Sequence, residues 1–436
     1  MTLFEDVKAA FNEGLRQFEL IMAENEEEYH ISEVYNGGGI GKVIHGDNLS
    51  LMINMIRQGM SGSLQLIYVD PPFFSNEKYQ ASVRIISERI GAADILRIGA
   101  YDDRWSRGLR EYLTMLTVRF LLMRELLSDR GCLWVHLDWH VVHYVKIIMD
   151  EIFGADNFIN EVVWTYKSGG ANKRSFARKH DNLLFYAKGK EYLFKTQKEK
   201  SYNREYKPYR FKGIEEFCDD MGWYTLVNMK DVWSIDMVGR TSVERSGYAT
   251  QKPEKLLERI IKSCSDEGDL CADFFAGSGT LGAVCRKLGR KWIMCDESRL
   301  SVSCQIERLG RQGECFDVER FEPEICENRG EIILSFKDNR IALEQYTVKI
   351  MDDKKGECLD VKAIELIKKY LEGDSLSLVK FWSVDFDYEG RVHRADKIMK
   401  RGETSCETDE FSAGDKISVC GYDVMGNRFF AVIRAD

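Results

Sequence analysis

The run Leu66-Ile67-Tyr68-Val69, followed at once by Asp70-Pro71-Pro72-Phe73, constrains this chain more than any other stretch. A short apolar run bounded by breakers reads as a buried strand of a parallel sheet. The two prolines fix φ and carry no N–H, so the strand must end in a stiff, carbonyl-rich loop. An acid and an aromatic ring are thereby held together at the carboxyl end of a strand. The carboxylate and a nearby carbonyl can accept hydrogen bonds from an exocyclic amino group, and the ring can stack on the base that carries it. Taken alone, the tetrapeptide also fits an ordinary strand-to-loop turn, because Asp-Pro commonly opens turns.

A second strand-to-turn unit lies about two hundred residues downstream. Leu270-Cys271-Ala272-Asp273-Phe274-Phe275 is a short apolar strand that runs into Ala276-Gly277-Ser278-Gly279-Thr280-Leu281-Gly282 and then a helical stretch ending near Gly289. Glycines at such a turn let a ligand approach the backbone closely. The next strand, Lys291 to Cys295, ends at Asp296, an acid placed to bind ribose hydroxyls. The spacing Gly277-Gly279-Gly282 also satisfies the dinucleotide fingerprint, which keeps an NAD site in play. Asp296 arrives sooner after the glycines than the usual dinucleotide acid, and the Asp-Pro-Pro-Phe loop offers no hydride chemistry. Both motifs together favour S-adenosylmethionine.

The order of the motifs is informative: the Asp-Pro-Pro-Phe half precedes the Gly-Ser-Gly half, and Tyr248-Ala249-Thr250-Gln251-Lys252-Pro253 stands just before the second. In this order the chain resembles the β-class, circularly permuted DNA amino-methyltransferases, a group that includes modification subunits of type III restriction–modification systems. His45-Gly46-Asp47-Asn48-Leu49, Glu161-Val162-Val163-Trp164, Arg178-Lys179-His180-Asp181 and Leu288-Gly289-Arg290-Lys291-Trp292 add to the resemblance, which covers most of residues 40 to 310. It departs at Phe274, where the family has proline, and at Phe73, where many members have tyrosine. Stacking needs a π-face and not a hydroxyl, so the second change is tolerable.

The resemblance implies methyl transfer from S-adenosylmethionine to an amino group of a base flipped out of duplex DNA. The expected catalytic residues are Asp70, Pro71, Pro72 and Phe73. Asp70 and a carbonyl of Pro71 or Pro72 hold the amino group while Phe73 stacks on the base. The expected cofactor-binding set is Asp47, Asp70, Lys252, Pro253, Asp273, Phe275, Gly277, Ser278, Gly279, Thr280 and Asp296, with Lys252 and Pro253 bordering the methionine end. Adenine N6 is favoured over cytosine N4, because cytosine-N4 members more often carry serine where Asp70 stands. A catalytically silent DNA-binding subunit is the alternative from another class, and an RNA or protein-amide methyltransferase is a further one. A restriction subunit or a second copy of the chain is left open as partner.

A length of 436 residues allows two or three domains. No apolar run reaches the length of a membrane span, and the N-terminus lacks a basic, apolar signal. Twelve cysteines are scattered without a Cys-x-x-Cys pair, which fits a reducing cytoplasm. None follows a proline, so the Pro-Cys nucleophile of cytosine-C5 methyltransferases is missing. Of five prolines, Pro71, Pro72 and Pro253 fall in the motifs. His136, Asp138, His140 and His143 cluster, but Asp138 is a natural helix N-cap and methyl transfer from a sulfonium needs no metal, so no metal site is expected.

The net charge of −9 opposes DNA binding, but its distribution does not. Residues 165–212 carry fourteen bases against four acids, a net of about +10, with tyrosines and phenylalanines interleaved. Lys173, Arg174, Arg178, Lys179, Lys198, Lys200, Arg204, Lys207 and Arg210 are the expected DNA contacts; a merely solvated insertion is the plainer alternative.

The expected fold is α/β: a doubly wound, Rossmann-like methyltransferase sheet, mostly parallel with a closing hairpin, plus a C-terminal β-rich domain. The predicted divisions are a helical lead-in over 1–40, a catalytic half over 41–187, a target-recognition insertion over 188–245, a cofactor-binding half over 246–314 and an accessory domain over 315–436. Residues 77–108 read as a mobile loop and Glu403 to Glu410 as an acidic loop. The C-terminal strands suggest an immunoglobulin-like sandwich with a docking or assembly role.

Overall fold

The structure, a computed structural model, describes residues 2–22, 29–167, 173–239, 241–248, 250–321, 328–350, 359–408 and 414–434. Ala249 of the Tyr248–Pro253 motif and Asp409 and Glu410 of the acidic loop lie outside the described residues.

Eleven strands form the main sheet, in the order Val232–Ser234, Phe158–Thr165, His180–Ala187, Leu127–Leu137, Leu64–Val69, Leu270–Asp273, Lys291–Asp296, Gly41–His45, Phe316–Phe321, Tyr29–Tyr35 and His393–Ala395. The six strands from Leu127–Leu137 to Phe316–Phe321 run parallel. The Phe158–Thr165 and His180–Ala187 strands form the expected closing hairpin and pair antiparallel onto Leu127–Leu137. Alternation along Leu64–Val69 explains the two layers of helices. Ile67 and Val69 face the helices Leu3–Ile21, Asn48–Met55, Leu109–Leu126 and Val142–Phe153. Leu66 and Tyr68 face Glu254–Cys264, Thr280–Lys287 and Arg299–Arg311. Both faces are covered, as a parallel sheet requires. Leu64–Val69 and Leu270–Asp273 lie side by side, with Cys271 opposite Leu66, so the two motifs leave the sheet as neighbours.

Four expectations need correction. The lead-in is not wholly helical: after the Leu3–Ile21 helix, Tyr29–Tyr35 extends the main sheet against Phe316–Phe321. Phe4, which its spacing with Val7, Phe11, Leu15 and Phe18 puts on one apolar helix face, is 79% exposed, and burial starts at Val7 and Ala10. Residues 77–108 are not a loop, because Lys78–Ser87 and Ala92–Asp102 pair antiparallel over their whole length. Ile85, Leu96 and Ile98 alternate with exposed residues and are buried in the C-terminal core, which is what makes a strand of a charged segment. The C-terminal region is not a two-sheet sandwich. A single seven-stranded sheet is covered by the Val361–Gly373 helix, whose Ala363, Ile367 and Tyr370 share its core. Gly426-Asn427, a candidate hairpin turn within the Lys416 to Val432 stretch of the sequence, does join Lys416–Asp423 to Arg428–Arg434.

The 188–245 stretch forms a small antiparallel sheet of Phe217–Asp219, Gly222–Asn228 and Lys198–Tyr202. It then returns to the main sheet edge through Val232–Ser234. No helix among the described residues is long and apolar enough to cross a membrane.

Candidate active site

A cleft of about 670 Å³ opens at the carboxyl ends of the central parallel strands. That size lies within the range of small-molecule and cofactor pockets. It is lined by Asp70, Pro71, Pro72 and Phe73 from one strand end, and by Asp273, Phe275, Gly277, Ser278 and Thr280 from its neighbour. Asp47, Lys252 and Asp296 also line it. Pro253 and Gly279 of the expected set do not. Pro253 is the N-cap of the Glu254–Cys264 helix. Gly279 takes φ +75° at the N-cap of the Thr280–Lys287 helix, where a Cβ would press to 3.0 Å from Gln305.

Asp70 is the centre of the first of these strand ends. Its Oδ2 pairs with the Lys252 ammonium, which also lies 5.5 Å from the centre of the Phe73 ring. Its Oδ1 is buried and accepts no hydrogen bond from any of the described residues. Behind it, His136 is fully buried, with Nδ1 3.8 Å from Oδ1 of Asp70. The Tyr68 hydroxyl is 2.9 Å from His136 Nδ1, and Asp181 Oδ2 is 3.2 Å from Nε2. With a proton on Nε2 the ring satisfies both contacts: Tyr68 donates to Nδ1 and Nε2 donates to Asp181. Burial opposes the charge on Asp181, yet His136, Lys252 and Tyr166 outweigh it and hold the carboxyl below its usual range. The Pro72 carbonyl already accepts from the Tyr112 hydroxyl at 2.7 Å.

In the second half, Gly277 and Gly279 adopt positive φ, which glycine alone adopts without strain. The Gly277 N–H donates to Oδ2 of Asp296 at 2.8 Å, and the Gly279 N–H to the Ala276 carbonyl at 2.9 Å. Those amides are therefore engaged within the turn and do not form the open cradle that a pyrophosphate needs. Burial raises the pKa of Asp296 to about 6, against the N–H donors of Ser298 and Gly277. Burial, with Asp70 and Asp296 nearby, pushes Asp273 well above the carboxylate range. Phe274, which replaces the proline of the resembling family, is fully buried, and its carbonyl accepts from Asn48 Nδ2 at 2.7 Å. That bond braces the turn. Asp47 caps the Asn48–Met55 helix through Ser50 N and pairs with Arg119 at 3.2 Å, so its carboxylate is already engaged.

Several cleft residues were not among the expected site residues: Tyr68, Tyr79, Tyr101, Trp164, Tyr166 and Tyr248. Tyr79 and Tyr101 stack at 4.6 Å across the hairpin at 78–102, so reading that segment as a loop hid them. Among the described residues no cluster of three or more His, Cys, Asp or Glu could hold a metal ion, and Asp138 is bound to His140 at 2.6 Å.

The nine basic residues fall on two elements. Arg178 lies 3.8 Å over the Trp139 ring, and the Lys179 carbonyl accepts from Tyr166 N at 3.1 Å, which places the 173–179 segment beside the cleft. Lys198 and Lys200 lie on the small sheet, followed by Arg204, Lys207 and Arg210. Lys200 pairs with Asp219 at 2.7 Å and Lys207 with Glu205 at 2.8 Å.

The sequence profile of the N6/N4 DNA methylase family matches residues 64–305, more than half of the chain. The chain belongs to that family. This DNA methylase is 24% identical over 337 residues to the type II methyltransferase M.HpaI of Haemophilus parainfluenzae, covering 77% of this chain and 96% of that enzyme. It is 26% identical over 276 residues to the type II methyltransferase M2.DpnII of Streptococcus pneumoniae, covering 62% of this chain and 90% of that enzyme. A crystal structure of an M1.HpyAVI–SAM complex aligns with a TM-score of 0.40 at 16% identity, over 62% of this chain and 98% of that one. The methylase is an S-adenosylmethionine-dependent DNA methyltransferase.

Proposed function

We propose that the chain methylates N6 of an adenine flipped out of duplex DNA, in the permuted arrangement of the β class. The observation that carries this is Oδ1 of Asp70: a buried carboxylate oxygen with no hydrogen-bond donor, beside an aromatic ring at the mouth of an acidic cleft. A buried acceptor of this kind is costly unless a ligand donates to it. An exocyclic amino group supplies such a donor. The order of the two motifs supports the permuted arrangement, since Asp70 precedes Gly277. Mass spectrometry of nucleosides from unmodified DNA treated with the enzyme tests the choice of base. N6-methyldeoxyadenosine is expected, and N4-methyldeoxycytidine overturns it.

S-adenosylmethionine supplies an activated methyl group on a sulfonium. Asp70 Oδ1 and the carbonyl of Pro71 orient the amino nitrogen, because the Pro72 carbonyl is held by Tyr112. The carboxylate disperses the positive charge that develops on that nitrogen. Phe73 stacks on the base. Lys252 holds the Oδ2 side of Asp70, which leaves Oδ1 for the amino group. Gly277, Ser278, Thr280, Asp273, Phe275 and Asp296 form the cofactor wall. All ten cysteines among the described residues are free thiols, which supports a reducing cytoplasm.

Cofactor binding is expected to weaken on acidification. Ribose hydroxyls donate to the carboxylate form of Asp296, so binding favours loss of its proton. Affinity therefore falls as the pH drops through about 6, the folded pKa of the free enzyme. Asp296→Ala removes the carboxylate and raises the dissociation constant by about 10- to 100-fold, each charged hydrogen bond contributing about 1.5–3 kcal/mol. Calorimetry between pH 5 and 8 (a window of about three units around that value) checks both. An alanine variant with wild-type affinity refutes the assignment.

DNA affinity is expected to depend on the basic residues of the insertion. Neutralising Lys198, Lys200, Arg204 and Lys207 together should weaken binding and flatten its salt dependence, each phosphate contact contributing about 0.9 to the slope of log K against log salt. Lys200 and Lys207 are already paired with acids, so the change should fall below that of four contacts. Equal slopes for wild type and variant shift DNA binding to the 173–179 segment.

A further inference from the structure

The loop that follows the catalytic tetrapeptide is held by one buried acid. Phe74 and Asn76 both take φ +59°, a left-handed conformation that costs non-glycine residues about 1–3 kcal/mol each. Asp103 over-determines it. Its Oδ1 accepts from Phe74 N at 3.1 Å, and its Oδ2 from both N and Oγ of Ser75 at 2.7 Å. Trp105 Nε1 donates to Oδ1 at 3.0 Å, and Asp103 N donates to the Glu77 carbonyl at 3.0 Å. Asp103 is fully buried.

Asp103 directly follows the Ala92–Asp102 strand, so it rides on the base of the hairpin. The far end of the hairpin belongs to the C-terminal domain. Ile85, Leu96 and Ile98 share a core with Trp382, Ile367 and Tyr370. Asp94 accepts from Lys369 Nζ at 2.8 Å and from the Tyr370 hydroxyl at 3.0 Å. Arg401 donates to the Arg84 carbonyl at 2.6 Å and to the Ser377 carbonyl at 3.0 Å. A two-stranded hairpin alone is marginally stable in water, so its rigidity comes from this anchorage.

We propose that the C-terminal domain acts, through the hairpin at 78–102, as the support that positions the catalytic loop, with Asp103 as the positioning residue. This rests on the assignment of Asp70 to the reaction. Asp103 touches neither base nor cofactor; it fixes the loop whose first residues do. The contribution falls on turnover and not on cofactor binding, because the Gly277 turn stands on other strands.

The test compares Asp103→Ala, Asp103→Asn and the double variant Asp94→Ala/Arg401→Ala as full chains. Methyl incorporation into unmodified genomic DNA at saturating substrates gives kcat, calorimetry gives the S-adenosylmethionine dissociation constant, and thermal denaturation sets the assay temperature well below every midpoint. Asp103→Ala should lower kcat by about 10²-fold, as an ångström-scale misplacement does, with an unchanged dissociation constant. Asp103→Asn keeps one acceptor and should recover part of the loss. Neither Asp94 nor Arg401 lines the cleft, and the double variant should lower kcat in the same direction by a smaller factor. Wild-type kcat in Asp103→Ala overturns the positioning role. Wild-type kcat in the double variant, with a lowered midpoint, overturns the support role of the C-terminal domain. If Asp103→Ala fails to fold, the asparagine and double variants decide by the same criteria. Wild-type turnover in Asp70→Ala would instead mean that the site assignment itself fails.

Discussion

Replacing Asp70 by alanine is expected to lower methyl transfer by about 10²–10³-fold or more while S-adenosylmethionine and DNA still bind. In the proposed mechanism the carboxylate acts on the amino group as positive charge develops there, so its effect would belong to the transition state more than to either bound substrate. The surroundings enlarge the loss. Lys252 pairs with Asp70 and has only 13% of its side chain exposed. Without the carboxylate its ammonium remains beside Phe73 and repels the charge that the reaction generates. Asp70→Asn keeps an oxygen acceptor but loses the compensating charge, and should fall between wild type and alanine. Single-turnover incorporation of labelled methyl, with calorimetry for the cofactor and a mobility shift for DNA, checks this. Wild-type turnover in Asp70→Ala would sink the mechanism. An equal loss of cofactor affinity and rate would place Asp70 in ground-state binding.

The meeting of Asp70, Gly277 and Asp296 at one cleft was legible in the sequence because local chemistry decides the turns that carry them. A proline pair ends a strand wherever it stands, and a glycine turn with positive φ betrays itself in any context. The sheet orders these local units without changing them. What stayed hidden depends on partners far away in the chain. The hairpin at 78–102 carries many charges, and its apolar positions become meaningful only when Ile367, Tyr370 and Trp382, nearly three hundred residues on, cover Ile85 and Leu96. Asp103 reads as one more surface acid until the loop at 74–75 folds onto it. Lys252 was placed at the methionine end from resemblance, yet 182 residues of intervening chain bring it onto Asp70. The Tyr29–Tyr35 strand was missed because Glu33 interrupts its apolar pattern, although that acid is fully buried. A sequence shows the charge and not the cations that will surround it.

Glu33 carries the second large prediction: Glu33→Ala should destabilise the protein by about 3–5 kcal/mol. The carboxylate accepts from Arg428 Nε at 2.8 Å, from Arg320 Nη2 at 3.2 Å and from the hydroxyls of Tyr422 and Tyr35 at 2.7 and 2.9 Å. These donors come from the main sheet and from the C-terminal sheet, so Glu33 joins the two. Removing it leaves two guanidiniums buried without their counter-charge, which costs far more than the lost contacts alone. Glu33→Gln keeps the shape and loses the charge, and should destabilise in the same direction. The pH dependence follows from the same geometry. Burial pushes the Glu33 carboxyl up, but Arg428, Arg320 and Tyr422 outweigh it and bring the pKa down from 4.5 to about 2. A folded pKa below the unfolded one means that the unfolded state binds the proton more readily. The contribution of Glu33 is therefore full above about pH 4.5 and is lost as the pH falls toward 2. Urea denaturation at neutral pH and along an acid series, followed by near-ultraviolet circular dichroism, measures both effects. Wild type should lose stability across that acid window more steeply than Glu33→Gln. If the alanine and glutamine variants unfold at the wild-type midpoint, the buried ion cluster does not hold the C-terminal sheet to the catalytic one.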